Sequence, residues 1–305
     1  MEVWCALPDK IKFLTGNIPS VKVELQRPSS IFVIAEIGIN HNGNLALARK
    51  MIKLAKDAGC DAVKFQKRTI EIVYTREVLD AERESPWGST QRDQKMGLEF
   101  GEADYAELDE YCREINILWS ASAWDIPSLS FIESFNPPFH KVASAMLSHL
   151  EFLEEVAQLG RETLLSTGMA SLEMIDTAVA IFKRHETPLV LLHTVSTYPT
   201  PEEDLNLDTI HTLRDRYQMP VGYSGHEASV SPSIVAAAQG ATVIERHITL
   251  DRSSYGSDQA ASVEEAGLRQ LVSVLKKMPL LLGTGIKDWA PGELEVAKKL
   301  RYWEN

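Results

Sequence analysis

The chain is predicted to fold as a closed α/β barrel of eight β/α units, a (β/α)8 TIM barrel. Short apolar runs rich in β-branched residues alternate with longer stretches of helical period across residues 31–290. The units spread over roughly 250 residues, the usual size of this architecture. A nucleotide-type glycine fingerprint, expected of an open doubly wound sheet, is absent, and an open sheet would also leave edge strands.

Residues 1–30 carry short alternating segments, Ile11-Lys12-Phe13 and Val21-Lys22-Val23, and read as a small hairpin or lid. Ile31 to Ile37 is a nearly continuous apolar run, the pattern of a buried parallel strand. A helix is expected from Asn44 to Ala58, with Leu47, Met51, Leu54, Ala55 and Ala58 on one face and Gly59 as its stop. Asp61 to Phe65 reads as the second strand. Residues 67–101 are irregular, and a loop of that length often acts as a lid or binding loop. Tyr105, Leu108, Cys112 and Ile115 mark a helix. Strands follow at 116–120, 139–142, 163–165 and 189–192, with helices marked by Leu150, Leu153, Val156 and by Ile175, Val179, Phe182. The next unit pairs a strand at 220–223 with a helix for which Ser231 is the N-cap, Pro232 the first residue and Gly240 the stop. A last strand spans 242–244. Ser262 and Glu265 have capping-box spacing ahead of Leu268, Leu271, Val272 and Leu275, the eighth helix. The tail, 291–305, has room for one more helix, and no second domain is expected.

The chain is acidic, with 31 basic against 43 acidic residues and a formal net charge of −12. That charge excludes broad binding to nucleic acid or anionic membranes, but not a small anion held by a few lysines in a cleft. Cys5, Cys60 and Cys112 match no zinc pattern and leave one thiol unpaired in any disulfide scheme, which fits a reducing cytoplasm. No apolar run approaches the ~20 residues of a membrane span, and no secretory signal is evident.

Barrel chemistry sits at the carboxyl rim of the strands. In strand order the sequence presents there Glu36, Lys64 with Gln66, Ser122, Lys141 with Ser144, Ser166, Ser196 with Tyr198, Ser224 with His226, and Glu245 with His247. Right-handed crossover places His226 and His247 on neighbouring strands at one rim, where two imidazoles suit a divalent metal; two ordinary rim histidines have the same spacing. Each serine alone also fits a turn or cap. Lys64 and Lys141 follow apolar strand residues, where a lysine is costly to desolvate without an anion.

Seven runs in this order resemble the sialic acid synthase family: Ala35-Glu-Ile-Gly-Ile-Asn-His-Asn-Gly43, Val63-Lys-Phe-Gln66, Leu165-Ser-Thr-Gly-Met169, Tyr198-Pro-Thr-Pro201, Gly222-Tyr-Ser-Gly-His226, Glu245-Arg-His-Ile-Thr-Leu250 and Gly256-Ser-Asp-Gln259. The resemblance implies metal-dependent condensation of phosphoenolpyruvate with an open-chain aldose, N-acetylmannosamine or a relative, giving a 2-keto sugar acid and phosphate. It implies manganese, or else magnesium or cobalt, at His226 and His247, with Glu36 as acid/base or water-positioning carboxylate. Lys64, Ser122, Lys141, Ser144, Ser166 and Ser224 would hold phosphoenolpyruvate, and Gln66, Tyr198 and Asp258 would face the sugar, with Ser196 at the sixth strand end where some members have asparagine. A homodimer is implied. The resemblance covers the barrel and stops before the antifreeze-like domain of full-length members, which leaves room for a separate protein carrying that domain. One run departs from the family: Ala143-Ser-Ala-Met146 replaces Gly-Ser-Gly followed by an acidic residue. Met146 is therefore expected at the acceptor, favouring a sugar with an apolar or acylated group. Condensation on a sugar phosphate, and a non-catalytic barrel partnering a complete synthase, are the alternatives.

Overall fold

The computed structural model describes residues 30–304, so the hairpin or lid expected over 1–30 lies outside the described residues apart from Ser30. The barrel strands are β1 (Phe32–Gly38), β2 (Ala62–Lys67), β3 (Leu118–Ala123), β4 (His140–Val142), β5 (Thr163–Ser166), β6 (Leu189–Thr194), β7 (Val221–Gly225) and β8 (Val243–His247). Each pairs in parallel with its sequence neighbour, and β8 pairs with β1 to close the ring. The fold is the expected (β/α)8 barrel. Its outer layer is α1 (Leu45–Ala58), α2 (Glu102–Glu114), α3 (Ile126–Glu133), α4 (Leu150–Gln158), α5 (Leu172–Arg184), α6 (Thr209–Tyr217), α7 (Ser231–Ala238) and α8 (Glu265–Leu282).

Two apolar cores follow from the alternation of side chains along a strand. Val33, Ala35 and Ile37 of β1 point outward into the layer shared with the helices. Phe32 and Ile34 point inward, where they meet Ala62, Phe139, Leu164, Val190, Leu192 and Val243. This inner plug fills the lower half of the barrel. The Phe32 and Phe139 rings meet edge to face, with centroids 6.1 Å apart.

The sequence places several element ends correctly and misplaces others. Asn44 caps α1 by accepting the Leu47 N–H at 2.9 Å, and Gly59 closes it at φ 89°. Strands begin up to two residues later than expected, and all but β4 run further toward the site; β3 starts at Leu118 because Asn116 turns at φ 54°. Ser231 is not the N-cap of α7: Val230 holds that place and Pro232 is the second helical residue. The expected Ser262–Glu265 capping box also does not form. Ser262 instead accepts Asn40 Nδ2 at 2.7 Å and donates to the Asp258 carbonyl at 2.7 Å, so its hydroxyl ties two rim loops together.

The irregular segment 67–101 contains short helices at Ile70–Val73 and Arg76–Asp80, a hairpin of Glu82–Ser85 with Gly88–Thr90, and a helix at Gln91–Leu98. Trp87 pins it to the rim, its ring 5.8 Å from that of Tyr255. Gly97 is required beneath Trp87, since a Cβ there would lie 2.2 Å from the indole. A further helix, Glu293–Leu300, follows the barrel with Leu294 and Leu300 exposed.

Phe139→Ala removes a ring from the centre of the inner plug. It is expected to cost about 3–5 kcal/mol, read by urea denaturation at unchanged slope; a cost under about 1 kcal/mol would show that this layer is not packed as described.

Candidate active site

The inward position above each plug residue is occupied by a polar side chain. Glu36 follows Ile34, Lys64 follows Ala62, Lys141 follows Phe139, Ser166 follows Leu164 and Glu245 follows Val243. Strand register then sets Glu36 beside both Lys64 and His247, Ser122 beside Lys141, and Ser224 beside Glu245. The floor of the mouth is thus a closed circle of buried charge.

The contacts are short. Lys64 Nζ lies 2.7 Å from Glu36 Oε2 and donates to Ser122 Oγ at 2.7 Å. Lys141 Nζ donates to Ser166 Oγ at 2.7 Å and stands 3.8 Å from Glu245 Oε1, which also accepts Ser224 Oγ at 3.0 Å. Gln66 Nε2 donates to Glu36 Oε1 at 3.2 Å. Above this floor a cavity of about 270 Å³ is walled by Ser144, Ser196, Tyr198, His226 and His247, with Trp124, Met169 and Thr194. Two glycines keep it open. A Cβ on Gly38, at φ 55°, would meet Glu36, Gln66 and His247 at 3.1–3.2 Å, and one on Gly168 would lie 2.2 Å from Ser196 Oγ.

Burial raises the Glu36 carboxyl above its ordinary range, against the opposing pull of Lys64 and His247. Burial opposes ionisation of Glu245 as well, but Lys141, Lys64 and His247 outweigh it and hold that carboxyl low. Desolvation brings Lys141 down to about 8, with Lys64 adding to the shift and Glu245 opposing it. Neighbouring carboxyls pushed apart in this way mark acid/base sites.

The two imidazole rings have centroids 5.6 Å apart. His226 Nδ1 lies 2.7 Å from the Val195 carbonyl, which only accepts, so Nδ1 carries the proton and Nε2 presents its lone pair toward the Tyr198 hydroxyl at 3.0 Å. Desolvation, then His247, pushes the His226 pKa down to about 3, keeping the ring neutral. His247 Nδ1 is buried without a hydrogen-bond partner, 3.9 Å from Asp258 Oδ2. No three His, Cys, Asp or Glu side chains among the described residues form a metal cluster, but the two histidines fit a two-nitrogen set completed by other ligands.

Of the residues expected from the sequence, Glu36, Lys64, Gln66, Ser122, Lys141, Ser144, Ser166, Ser196, Tyr198, Ser224, His226 and His247 line this one cavity. Asp258 lies in an adjoining cavity. Met146 does not face the acceptor. It is the third residue of a 3-10 turn, 7% exposed and packed in the outer core, because the short turn after β4 rotates it inward; Ala145 and Met169 line the cavity instead. The sequence reading also missed the pair that frames the histidines. Arg246 Nη1 donates to Glu227 Oε1 at 2.7 Å, to Ser233 Oγ at 3.0 Å and to the Ser229 carbonyl at 2.8 Å, with Tyr223 donating to Glu227 Oε2 at 2.8 Å. Both ions are fully buried, one directly after His226 and the other directly before His247. Opposite charges adjacent to paired motif histidines were the available signal.

A closed barrel whose carboxyl rim gathers buried lysines, hydroxyls and two imidazoles has the build of a barrel enzyme with its chemistry at the strand ends. Residues 51–287 match the NeuB family. The chain is 38% identical over 272 residues to N-acetylneuraminate-9-phosphate synthase of Homo sapiens, covering 88% of this chain and 76% of that one. It is 34% identical over 278 residues to N,N'-diacetyllegionaminic acid synthase of Legionella pneumophila, covering 88% and 78%. The crystal structure of N-acetylneuraminic acid synthetase from Leptospira borgpetersenii serovar Hardjo-bovis, in complex with citrate, superposes with a TM-score of 0.79 at 33% identity, covering 94% of this chain and 98% of that one. The chain belongs to the NeuB family and is an enzyme of the sialic acid synthase type.

Glu227→Ala strands the Arg246 charge in the interior. It is expected to destabilise the protein by about 3–5 kcal/mol, whereas Glu227→Gln, which keeps the hydrogen-bond geometry, should cost less; equal thermal stability of all three proteins would contradict the described pair.

Proposed function

We propose that the chain condenses phosphoenolpyruvate with the open-chain aldehyde of an N-acyl hexosamine of the N-acetylmannosamine type, releasing inorganic phosphate and a nine-carbon 2-keto acid. The observation that carries this reading is the buried pairing of Lys64 and Lys141 with Ser122, Ser166 and the two carboxylates beside two neutral-capable imidazoles. By themselves the two lysines and two carboxylates cancel. A divalent ion held by His226 and His247, manganese first among candidates, tips the mouth positive and so favours a polyanion. When bound, such an ion supplies Lewis-acid polarisation of the sugar aldehyde.

The residues then divide the work. Lys64 and Lys141 balance the phosphate and carboxylate of phosphoenolpyruvate, with Ser122, Ser144, Ser166 and Ser224 as hydroxyl donors. The methylene carbon attacks the aldehyde carbon, a carbon–carbon bond forms, and the aldehyde oxygen gains a proton to become a hydroxyl. Glu36, whose raised pKa lets it be protonated, is placed to give that proton. As carboxylate it then takes a proton from the water that adds to the electron-poor central carbon. The resulting hemiketal phosphate expels inorganic phosphate and leaves the ketone. Gln66, Tyr198 and Ser196 flank the acceptor, and Asp258 reaches it from the adjoining cavity.

The matched relatives differ in whether their named product bears a phosphate. A cytoplasmic location is supported by the free, buried thiols of Cys60 and Cys112; no helix among the described residues is long and apolar enough to cross a membrane. The same reading carries a homodimer as the assembly.

His226→Ala combined with His247→Ala is expected to abolish calorimetric manganese binding, and a chelator to abolish phosphate release; undiminished binding in the double variant would place the ion elsewhere. Lys64→Met and Lys141→Met keep the apolar stems, and each should weaken phosphoenolpyruvate binding roughly tenfold or more. The Lys141 dependence has a definite sign with pH. The charged form binds the anion, so affinity should hold below pH about 8 and fall by up to about tenfold per pH unit above it. Calorimetry from pH 7 to 9 checks this: a flat profile, or the same slope in Lys141→Met, would remove Lys141 from the anion site.

A further inference from the structure

A neutral imidazole has one ring lone pair to offer, and that of His226 is already in use. Its Nδ1–H is committed to the Val195 carbonyl at 2.7 Å, so only Nε2 accepts, and the Tyr198 hydroxyl donates to it at 3.0 Å. The phenol ring lies against that imidazole, with centroids 4.1 Å apart, and meets the His247 ring edge to face at 6.0 Å. Tyr198 therefore stands over both rings of the two-nitrogen set. A metal–imidazole bond is roughly 2 Å long, shorter than the 3.0 Å hydrogen bond that uses the same lone pair. Phenol and ion exclude one another at Nε2.

The backbone around Tyr198 is braced, whereas its side chain is not. Thr200, a buried residue, donates its hydroxyl to the Thr197 carbonyl at 2.7 Å and its backbone N–H to the His226 carbonyl at 3.1 Å. The loop after β6 is thereby tied to the chain just beyond β7. The Tyr198 side chain is 46% exposed, and its hydroxyl bonds only His226 among the described residues. It also walls both the mouth and the adjoining cavity. Rotation between staggered side-chain wells takes the hydroxyl off the imidazole while the braced loop stays in place. A phenol released in this way is a hydrogen-bond donor at the wall of the mouth, where the acceptor is placed.

We propose that Tyr198 couples the two halves of the site. Its hydroxyl caps His226 Nε2, a divalent ion displaces it, and the freed O–H turns into the mouth to donate to the acceptor sugar. The assignment rests on the two-histidine metal reading above and adds to it a displaceable internal competitor. Tyr198 is then a positioning residue with two opposed effects. Its hydrogen bond works against the ion, because that bond must break before Nε2 is available, and works for the acceptor, because the same donor is then reused. The coupling is reciprocal: an ion that frees the hydroxyl raises affinity for the sugar, and a sugar that holds the hydroxyl raises affinity for the ion by the same factor.

The test is calorimetry on the full chain and on Tyr198→Phe, which keeps the ring and removes only the O–H. Thermal melts check that both are folded. Manganese is titrated into each protein alone, and N-acetylmannosamine into each manganese-loaded protein without phosphoenolpyruvate, so that no turnover is needed. Tyr198→Phe is expected to bind manganese about two- to tenfold more tightly and the sugar about two- to tenfold more weakly, the worth of one ordinary hydrogen bond in each direction. A merely structural role would loosen both, and a phenol that ligated the ion would loosen the manganese. Equal or weaker manganese binding in Tyr198→Phe overturns the proposal while the metal reading stands. Tighter manganese with unchanged sugar affinity overturns the coupling. A parent that binds no manganese removes the metal reading and this proposal together.

Discussion

Four charges with almost no access to water, Glu36, Lys64, Lys141 and Glu245, hold the mouth of the barrel together. Each is costly to bury alone, and each is tolerated because the closed ring brings an opposite charge or a hydroxyl within reach. The ring does this through register: Glu36 faces Lys64 across β1 and β2, and Lys141 reaches Glu245 across the top of the inner plug. The arrangement is balanced but not saturated, since Glu245 Oε2 has no hydrogen-bond partner among the described residues. A balanced, dry ring of this kind responds strongly to an added ion of either sign, because screening by water is weak there. On that physical basis a cation bound at the histidines would be coupled to an anion bound at the lysines.

The histidines depend on a second buried pair. Arg246 and Glu227 point away from the cavity, yet each is covalently adjacent to a cavity histidine. Their hydrogen bonds fix where β7 and β8 end, and hence the spacing between the rings. Gly225 belongs to the same device, since a Cβ there would lie 2.5 Å from Glu227 Oε2. Positioning groups of this sort keep the reacting side chains free of structural duty.

The segment 67–101 provides what the strands do not. It carries Glu99 and Lys95 to the rim, supports them with Tyr74 and Leu98, and extends the site sideways from the barrel axis. The strand ends fix the buried charges of the mouth, while this segment lines the cavity beside it. Loops on a rigid scaffold are where substrate choice is set.

The barrel and most of its mouth were legible in the chain, because period-two alternation and the carboxyl-rim rule act locally and independently at each strand. Glu36, Lys64, Lys141 and Glu245 could each be read from the apolar residue two places before them, and His247 from its place at the end of the same strand as Glu245. Local chemistry failed where tertiary contacts claimed the same groups. Ser262 has the sequence of a cap, but a hydroxyl with a buried Asn40 beside it is worth more as a bridge between loops. Met146 occupies the place of a polar contact, but one 3-10 turn decides whether a side chain faces the cavity or the core, and here it faces the core. The cavity beside the mouth was invisible for a related reason. Arg68 and Lys95 are 27 positions apart in an irregular stretch, and no periodicity links them. The sequence by itself determined which strand ends carry chemistry, since alternation is a property of the backbone. Only the folded chain decided which off-strand charges meet, because that depends on how a loop packs across the rim.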